Sequence, residues 1–284
     1  MSDVPTVVRT PAELAAVRGE GTVALVPTMG ALHDGHVQLM KHARPLAQTV
    51  VVSIFVNPTQ FAPGEDFEAY PRTLDADLER CDEAGVDVVL LPEVATMYPD
   101  GPDSGVVVEP GPLGRVLEGE QRPTHFRGVL TVVAKLFGIV RPDVAVFGEK
   151  DFQQLVLIRR MVRELSMGVD VVGCPIVREA DGLAMSSRNV YLGADDRARA
   201  SVLHRALTAG VDAAPRGAEH VLAAARAVLD AEGVVPDYLT LTGPDLDEAV
   251  PGQEARLLIA ARIGTPRLLD NIGLVLGPTT HEGA

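Results

Sequence analysis

The chain has 284 residues, 46% of them apolar, enough to bury a full core in one large domain or two unequal ones. With no Trp and only 4% aromatic residues, that core is aliphatic, as in parallel sheets covered on both faces. A net charge of -14, from 39 acidic and 25 basic residues, argues against a broad nucleic-acid or membrane footprint but leaves room for a small anionic substrate in a locally basic cleft.

Residues 23–26 read as a strand that leads into a helix with Asp34 as N-cap, apolar positions at Val37, Met40 and Ala43, and an end near Pro45. Residues 50–56 form a continuous apolar run suited to a strand buried on both faces. A helix over 73–84 follows, closed by Gly85, and then a strand over 86–91. Val129, Val132, Val133, Leu136 and Phe137 fall at helical spacing within 126–140, which stops before Pro142. Next come a strand at 144–147, a helix from about 151 to 165 and a strand at 169–177. This alternation predicts an α/β fold, a Rossmann-like parallel sheet covered by helices, with ligands beyond the carboxyl ends of its strands.

After Asp181-Gly182 the texture changes. Helices over about 194–211 and 217–231 are joined through Pro215-Arg216-Gly217, and strand-like runs at 238–241 and 257–262 precede Asp270-Asn271-Ile272. A smaller C-terminal α+β domain is expected there, with the division at 1–177 and 178–284 and a hinge near 176–180, the small domain closing over the site. Cys81 and Cys174 show no metal-like spacing, and the start of the chain lacks the basic and apolar regions of a signal peptide. No apolar stretch approaches the ~20 residues of a membrane helix. A reduced, cytoplasmic protein without structural zinc is the expectation.

The run P-T-M-G-A-L-H-D-G-H (residues 27–36) sets two imidazoles three residues apart where a buried strand hands over to a helix. A helix N-terminus offers unpaired N–H groups and partial positive charge to a phosphate, and Gly30 and Gly35 keep side chains out of its way. Spacing i, i+3 aims His33 and His36 at one side of the opening turn. Far downstream lies Met185-Ser186-Ser187-Arg188-Asn189, and Lys150 follows a strand within G-E-K-D. Each has an ordinary alternative: a solvated lysine beside Glu149 and Asp151, a Ser pair that caps a loop, and, at Asn57-Pro58, a simple turn.

Together the H-D-G-H and M-S-S-R-N runs resemble the HIGH-like and KMSKS-like signatures of the nucleotidyltransferase superfamily. The resemblance narrows through F-V-N-P-T-Q-F (55–61), Y-P-R-T (70–73), R-P-T-H-F (122–126), F-G-E-K-D-F-Q-Q-L (147–155) and A-D-G-L-A-M-S-S-R-N (180–189), which in this order are similar to the pantothenate synthetase (pantoate–β-alanine ligase) family. The tail R-L-L-D-N (267–271) also looks familiar.

This resemblance implies ATP-dependent condensation of (R)-pantoate with β-alanine to pantothenate, AMP and diphosphate through a pantoyl-adenylate. The rivals are another nucleotidyltransferase, such as a phosphopantetheine adenylyltransferase or a synthetase fragment acting on tRNA, and a nucleotide-sensing module without turnover. It assigns His33, His36 and Lys150 to catalysis. ATP falls to those three with Met29, Gly30, Gly148, Asp151, Val177, Met185, Ser186, Ser187 and Arg188, Gly148 and Val177 through their backbones. Pantoate and β-alanine fall to Gln60, Gln154, Asn57, Arg122 and His125. Mg2+ is expected with ATP, but the family's acidic cluster after Y-P-R-T is thinned to Asp75-Ala76-Asp77, so no protein ligand is named. A homodimer without nucleic-acid or membrane partners completes the expectation.

Overall fold

The computed structural model describes residues 4–62, 64–65 and 67–278. The chain divides into two compact units, one made of Met1–Glu149 with Gln153–Pro175 and the other of Lys150–Phe152 with Ile176–Ala284.

The first unit is built on β1 (Thr6–Val8), β2 (Val23–Thr28), β3 (Thr49–Ile54), β4 (Val88–Leu90), β5 (Val144–Gly148) and β6 (Asp170–Cys174), ordered β1-β4-β3-β2-β5-β6 and parallel throughout. Successive strand residues point to opposite faces, and here both faces are buried. Leu25 and Val51 join one core with Phe126, Val129 and Ile158, whereas Ala24, Val26, Val50 and Val52 join another with Met40 and Cys81. That is why these strands read as unbroken apolar runs. Strand order reverses between β2 and β5, so the carboxyl ends of these two strands flank the crevice where such sheets bind ligands.

Helices α1 (Pro11–Val17), α2 (Asp34–Ala43), α3 (Leu74–Glu83), α4 (Val94–Met97), α5 (Glu118–Gln121), α6 (His125–Val140) and α7 (Phe152–Glu164) complete this part of the chain. The strand expected over 169–177 stops at Cys174, and the start of α2 shifts by one residue. The N-cap of α2 is His33, and Asp34 is its first helical residue, because the His33 ring accepts the N–H of Gly35. The opening pair β1 and α1 has no counterpart in the sequence pattern: β1 is only three residues long and α1 buries only Leu14.

In the second unit the helix expected over 194–211 is two, α8 (Ala194–Ala200) and α9 (Val202–Ala213), separated at Ser201. With α10 (Ala218–Ala231), α9 supplies Leu203, Leu207, Val221 and Leu229 to a core with Leu257 and Ile259 of the sheet. That sheet is antiparallel, β7 (Pro236–Thr242), β8 (Glu254–Arg262) and β9 (Arg267–Val275) in this order. Strand β9 does not read as a strand in the sequence. Its middle carries the buried polar pair Asp270 and Asn271, which breaks the apolar pattern.

Candidate active site

In the first unit, β2 ends at Thr28 and the next residues turn sharply into α2: Gly30 has φ +83° and Ala31 φ +50°. A Cβ on Gly30 would lie 2.9 Å from a carboxylate oxygen of Asp77, so glycine is required for space as well as for φ. Asp77, 2% exposed, accepts the N–H groups of Ala31 (3.0 Å) and Leu32 (2.8 Å) and the Thr73 hydroxyl (3.2 Å). Its carboxylate is thus engaged in holding the turn.

At the end of that turn the two imidazoles cap the helix reciprocally. Nδ1 of His33 accepts from Gly35 N–H (3.1 Å), Nδ1 of His36 accepts from His33 N–H (3.3 Å), and the ring centroids are 4.1 Å apart. A ring that accepts at Nδ1 carries its proton on Nε2, so the cap fixes the tautomer as well as the orientation.

A second group gathers around the turn at Pro58–Gln60. The Gln60 amide donates to the Met29 sulfur and accepts from Asn57 (3.1 Å), while its backbone carbonyl accepts from Arg122 (3.3 Å) and meets Nδ1 of His125 at 3.0 Å. Asn57, 1% exposed, is fixed further by the Tyr98 hydroxyl (2.8 Å), the Thr59 hydroxyl (3.0 Å) and the Gly128 carbonyl (3.2 Å). Helix α6 approaches so closely here that a Cβ on Gly128 would meet the Thr59 carbonyl oxygen at 2.3 Å. The structure therefore assembles Met29, Asn57, Gln60, Arg122 and His125 in one place.

Arg122 is already paired in this arrangement. Glu65 takes it in a two-pronged pair at 2.8 and 2.7 Å. Burial works against the Glu65 charge, but Arg122 outweighs it and holds the carboxyl below its ordinary range.

The paired glutamines of α7 separate. Gln153 is buried and spent on structure, accepting from Glu118 N–H (3.0 Å) and donating to the carbonyls of Leu113 and Val116 (both 2.8 Å). Gln154 is half-buried and has no hydrogen-bond partner among the described residues. Neither thiol is a nucleophile: burial, with the Asp77 charge, pushes Cys81 up to about 12, and burial, with Glu149, pushes Cys174 up as well.

In the second unit, Lys150, Ser186 and Arg188 line one pocket, which Asn189, Arg267 and Asp270 also line. Lys150 lies in a short 3-10 turn, Glu149–Asp151, with its ammonium 3.7 Å from Asp151. Ser186 caps the turn Ser187–Tyr191 by accepting Arg188 N–H (3.3 Å), so its hydroxyl has the capping duty as well as a place in the pocket. Val177 and Met185 pair through the backbone at 2.9 Å, and Arg178 bridges Ala184. The loop between is braced by Glu179 and Asp181, which share Arg197, and by Asn189, which donates to Glu179 (2.9 Å). Val177, Met185, Ser187 and Asp151 do not line the pocket itself. Among the described residues, no cluster of three or more His, Cys, Asp and Glu side chains forms a metal cage.

A doubly covered parallel sheet with a histidine-capped helix at its switch point is that of an α/β enzyme equipped to hold a phosphate. The profile of the family described as pantoate-beta-alanine ligase matches residues 5–273, and the chain belongs to that ligase family. Among its relatives, a pantothenate synthetase from Nocardioides sp. is 56% identical over 299 residues, covering 100% of this chain and 89% of its own. One from Nocardia farcinica is 59% identical over 264 residues, 92% of this chain and 82% of its own. Among solved structures, a pantothenate synthetase from Thermus thermophilus superposes with a TM-score of 0.87 at 49% identity, over 94% of this chain and 98% of its own. A pantoate-beta-alanine ligase from Francisella tularensis, complexed with beta-gamma ATP and beta-alanine, gives 0.78 at 32% identity, over 94% and 97%.

Proposed function

We propose that the protein joins (R)-pantoate to β-alanine at the expense of ATP, by way of a pantoyl-adenylate, releasing diphosphate and then AMP. A carboxylate in water needs a leaving group before an amine can displace it, and attack on the α-phosphate of ATP supplies AMP. The obstacle is charge, since an anionic acid approaches a triphosphate and diphosphate departs with more charge still. Fixed donors and cations aimed at that charge lower the barrier.

The reciprocal imidazole cap carries this reading. It presents Nε2–H donors, already oriented, beside the N–H groups of a helix N-terminus. His36 and His33 serve the phosphates there, next to Met29 and Gly30, with the Gly148 backbone against the adenosine. Lys150 brings a point charge, and Ser186, Ser187 and Arg188 hold phosphate oxygens, with Val177, Met185 and Asp151 on the nucleotide. Gln60 and Gln154 hold pantoate through uncharged amide donors, and Asn57, Arg122 and His125 fix the wall around Gln60.

Residues 1–177 thus hold nucleotide and pantoate, and residues 178–284 contribute the serine–arginine loop. Mg2+ would arrive on the triphosphate, held by phosphate oxygens and water, and neutralise part of its charge. Asp77 suits no ligand role there, because its oxygens are already bonded to the turn. A homodimer and a cytoplasmic location belong to the same reading, the latter supported by two buried, unbridged cysteines. Among the described residues no helix is long and apolar enough to cross a membrane.

Mass spectrometry of a reaction with ATP, pantoate and β-alanine tests the proposal. Pantothenate, AMP and diphosphate in equal amounts are expected; ADP and phosphate, or no turnover, would contradict it.

A further inference from the structure

We infer that Asn271 and Arg256 are positioning residues that fix the backbone of Lys150, an assignment that rests on the phosphate-facing role given to Lys150 above. A lysine ammonium stands on a flexible four-carbon stem, so its placement depends on how firmly its own backbone is held. Lys150 sits in a short turn between a strand and a helix.

Asn271 Nδ2 donates to the Lys150 carbonyl at 2.9 Å, and Asn271 Oδ1 accepts from Arg256 Nε at 2.7 Å. The Arg256 guanidinium lies over the Phe152 ring, 4.3 Å from its centroid. The turn is therefore gripped at Lys150 by hydrogen bonding and two residues later by stacking, from neighbouring strands β9 and β8.

Burial marks the asparagine as more than filler. At 2% exposure in the middle of β9, its amide is tolerable only because both ends are bonded, and the bond at one end is to Lys150. The grip continues along the strand. Asp270, 3% exposed, accepts Asn271 N–H (2.7 Å) and takes Arg178 in a two-pronged pair at 2.6 and 2.9 Å. Arg178 also donates to the Gly182 carbonyl (2.9 Å), in the loop that leads to Ser186 and Arg188. One network thus sets the register of Lys150 against Ser186 and Arg188 of its pocket.

A double-mutant cycle on the whole enzyme tests this, read as single-turnover adenylation of pantoate without β-alanine and as the split between kcat and the KM for ATP. Asn271→Asp keeps an acceptor for Arg256 but loses the donor to Lys150, whereas Asn271→Leu loses both. Each should lower the adenylation rate, on the order of 10- to 100-fold for a reacting group slightly misplaced, with the KM for ATP changed far less. In a Lys150→Ala background the same substitutions should cost nothing further. Full additivity in that background, or a wild-type rate in a folded Asn271→Asp variant, would overturn the assignment. If Lys150→Ala itself ran at the wild-type rate, the role of Lys150 would fall first and this inference with it. Should Asn271→Leu and Asn271→Asp both fail to fold, Arg256→Gln, at a half-buried position, carries the same cycle: no further loss in the Lys150→Ala background supports the assignment, and full additivity overturns it.

Discussion

The two units hold the side chains proposed for function by different means. In the first, the groups are short or planar and are gripped at the functional atoms' own rings and amides: His33 and His36 by the backbone of their helix, Gln60 and Asn57 by each other and by Tyr98 and Thr59. In the second, Lys150 and Arg188 are long cations, and what is fixed is the chain they grow from, through Asn271, Asp270 and the loop brace at Arg197. Precision in the first unit is local. In the second it is delegated to residues that need never touch a substrate.

The largest expected effects lie at the groups proposed to face the phosphates in the two units. His36→Ala and Lys150→Ala should each lower the adenylation rate by about 10² or more, the scale of losing one fixed donor, with circular dichroism unchanged. Equal rates to wild type in folded variants would remove either residue from the mechanism.

Asp77→Asn comes next and sharpens the local side of the comparison. The amide keeps one acceptor but turns an NH2 toward an N–H, so stability should fall by ~1.5–3 kcal/mol, the worth of hydrogen bonds to a charged group. ATP binding should weaken, because the turn before His33 loosens. Denaturant titration and ATP calorimetry check both. Unchanged ATP affinity would mean that the turn holds itself.

The glutamine pair separates binding from structure within two adjacent positions. Gln153→Ala should destabilise the fold by ~1–3 kcal/mol, because it leaves Glu118 N–H and two carbonyls without their partner. Gln154→Ala should leave the melting temperature alone and weaken pantoate binding by a similar ~1–3 kcal/mol. The opposite pattern would reverse the assignment.

The smallest effect is a pH dependence in the second unit. Burial, then the Arg178 charge, pushes the His204 imidazole below its ordinary 6.5, with Asp270 working the other way. The folded chain then binds this proton less readily than the unfolded one. Its stability is therefore complete above 6.5 and declines as pH falls from there toward the folded value. His204 Nδ1 has no hydrogen-bond partner among the described residues, so His204→Leu should flatten the drop in melting temperature between pH 7 and pH 5 without another loss. An unchanged slope would place the acid sensitivity elsewhere.

Much of the first unit was legible because strands buried on both faces announce themselves as apolar runs and because Gly85 and Pro142 punctuate them. What escaped depends on contacts distant in sequence. Asp77 reaches back to Ala31 and Leu32, and Gly128 makes room for the turn at Thr59; neither contact leaves a local pattern. The cap of α2 was misplaced by one residue because Asp is the commoner cap and only geometry shows the ring of His33 accepting. Only the family resemblance singles out Gln154 from its neighbour Gln153; helix geometry turns adjacent side chains about a quarter-turn apart, which sends Gln153 into the core and leaves Gln154 half-buried. Strand β9 was hidden because the polar pair inside it serves Arg178 and Lys150 rather than the pattern of the sheet.

The central claim is that the carboxylate is activated on ATP before the amine arrives. Isotope exchange tests it most directly. With pantoate present and β-alanine absent, the enzyme should move labelled diphosphate into ATP, and the exchange should stop when pantoate is withheld. Absence of exchange in an enzyme that makes pantothenate once β-alanine is added would contradict a free-standing pantoyl-adenylate and point to a concerted reaction.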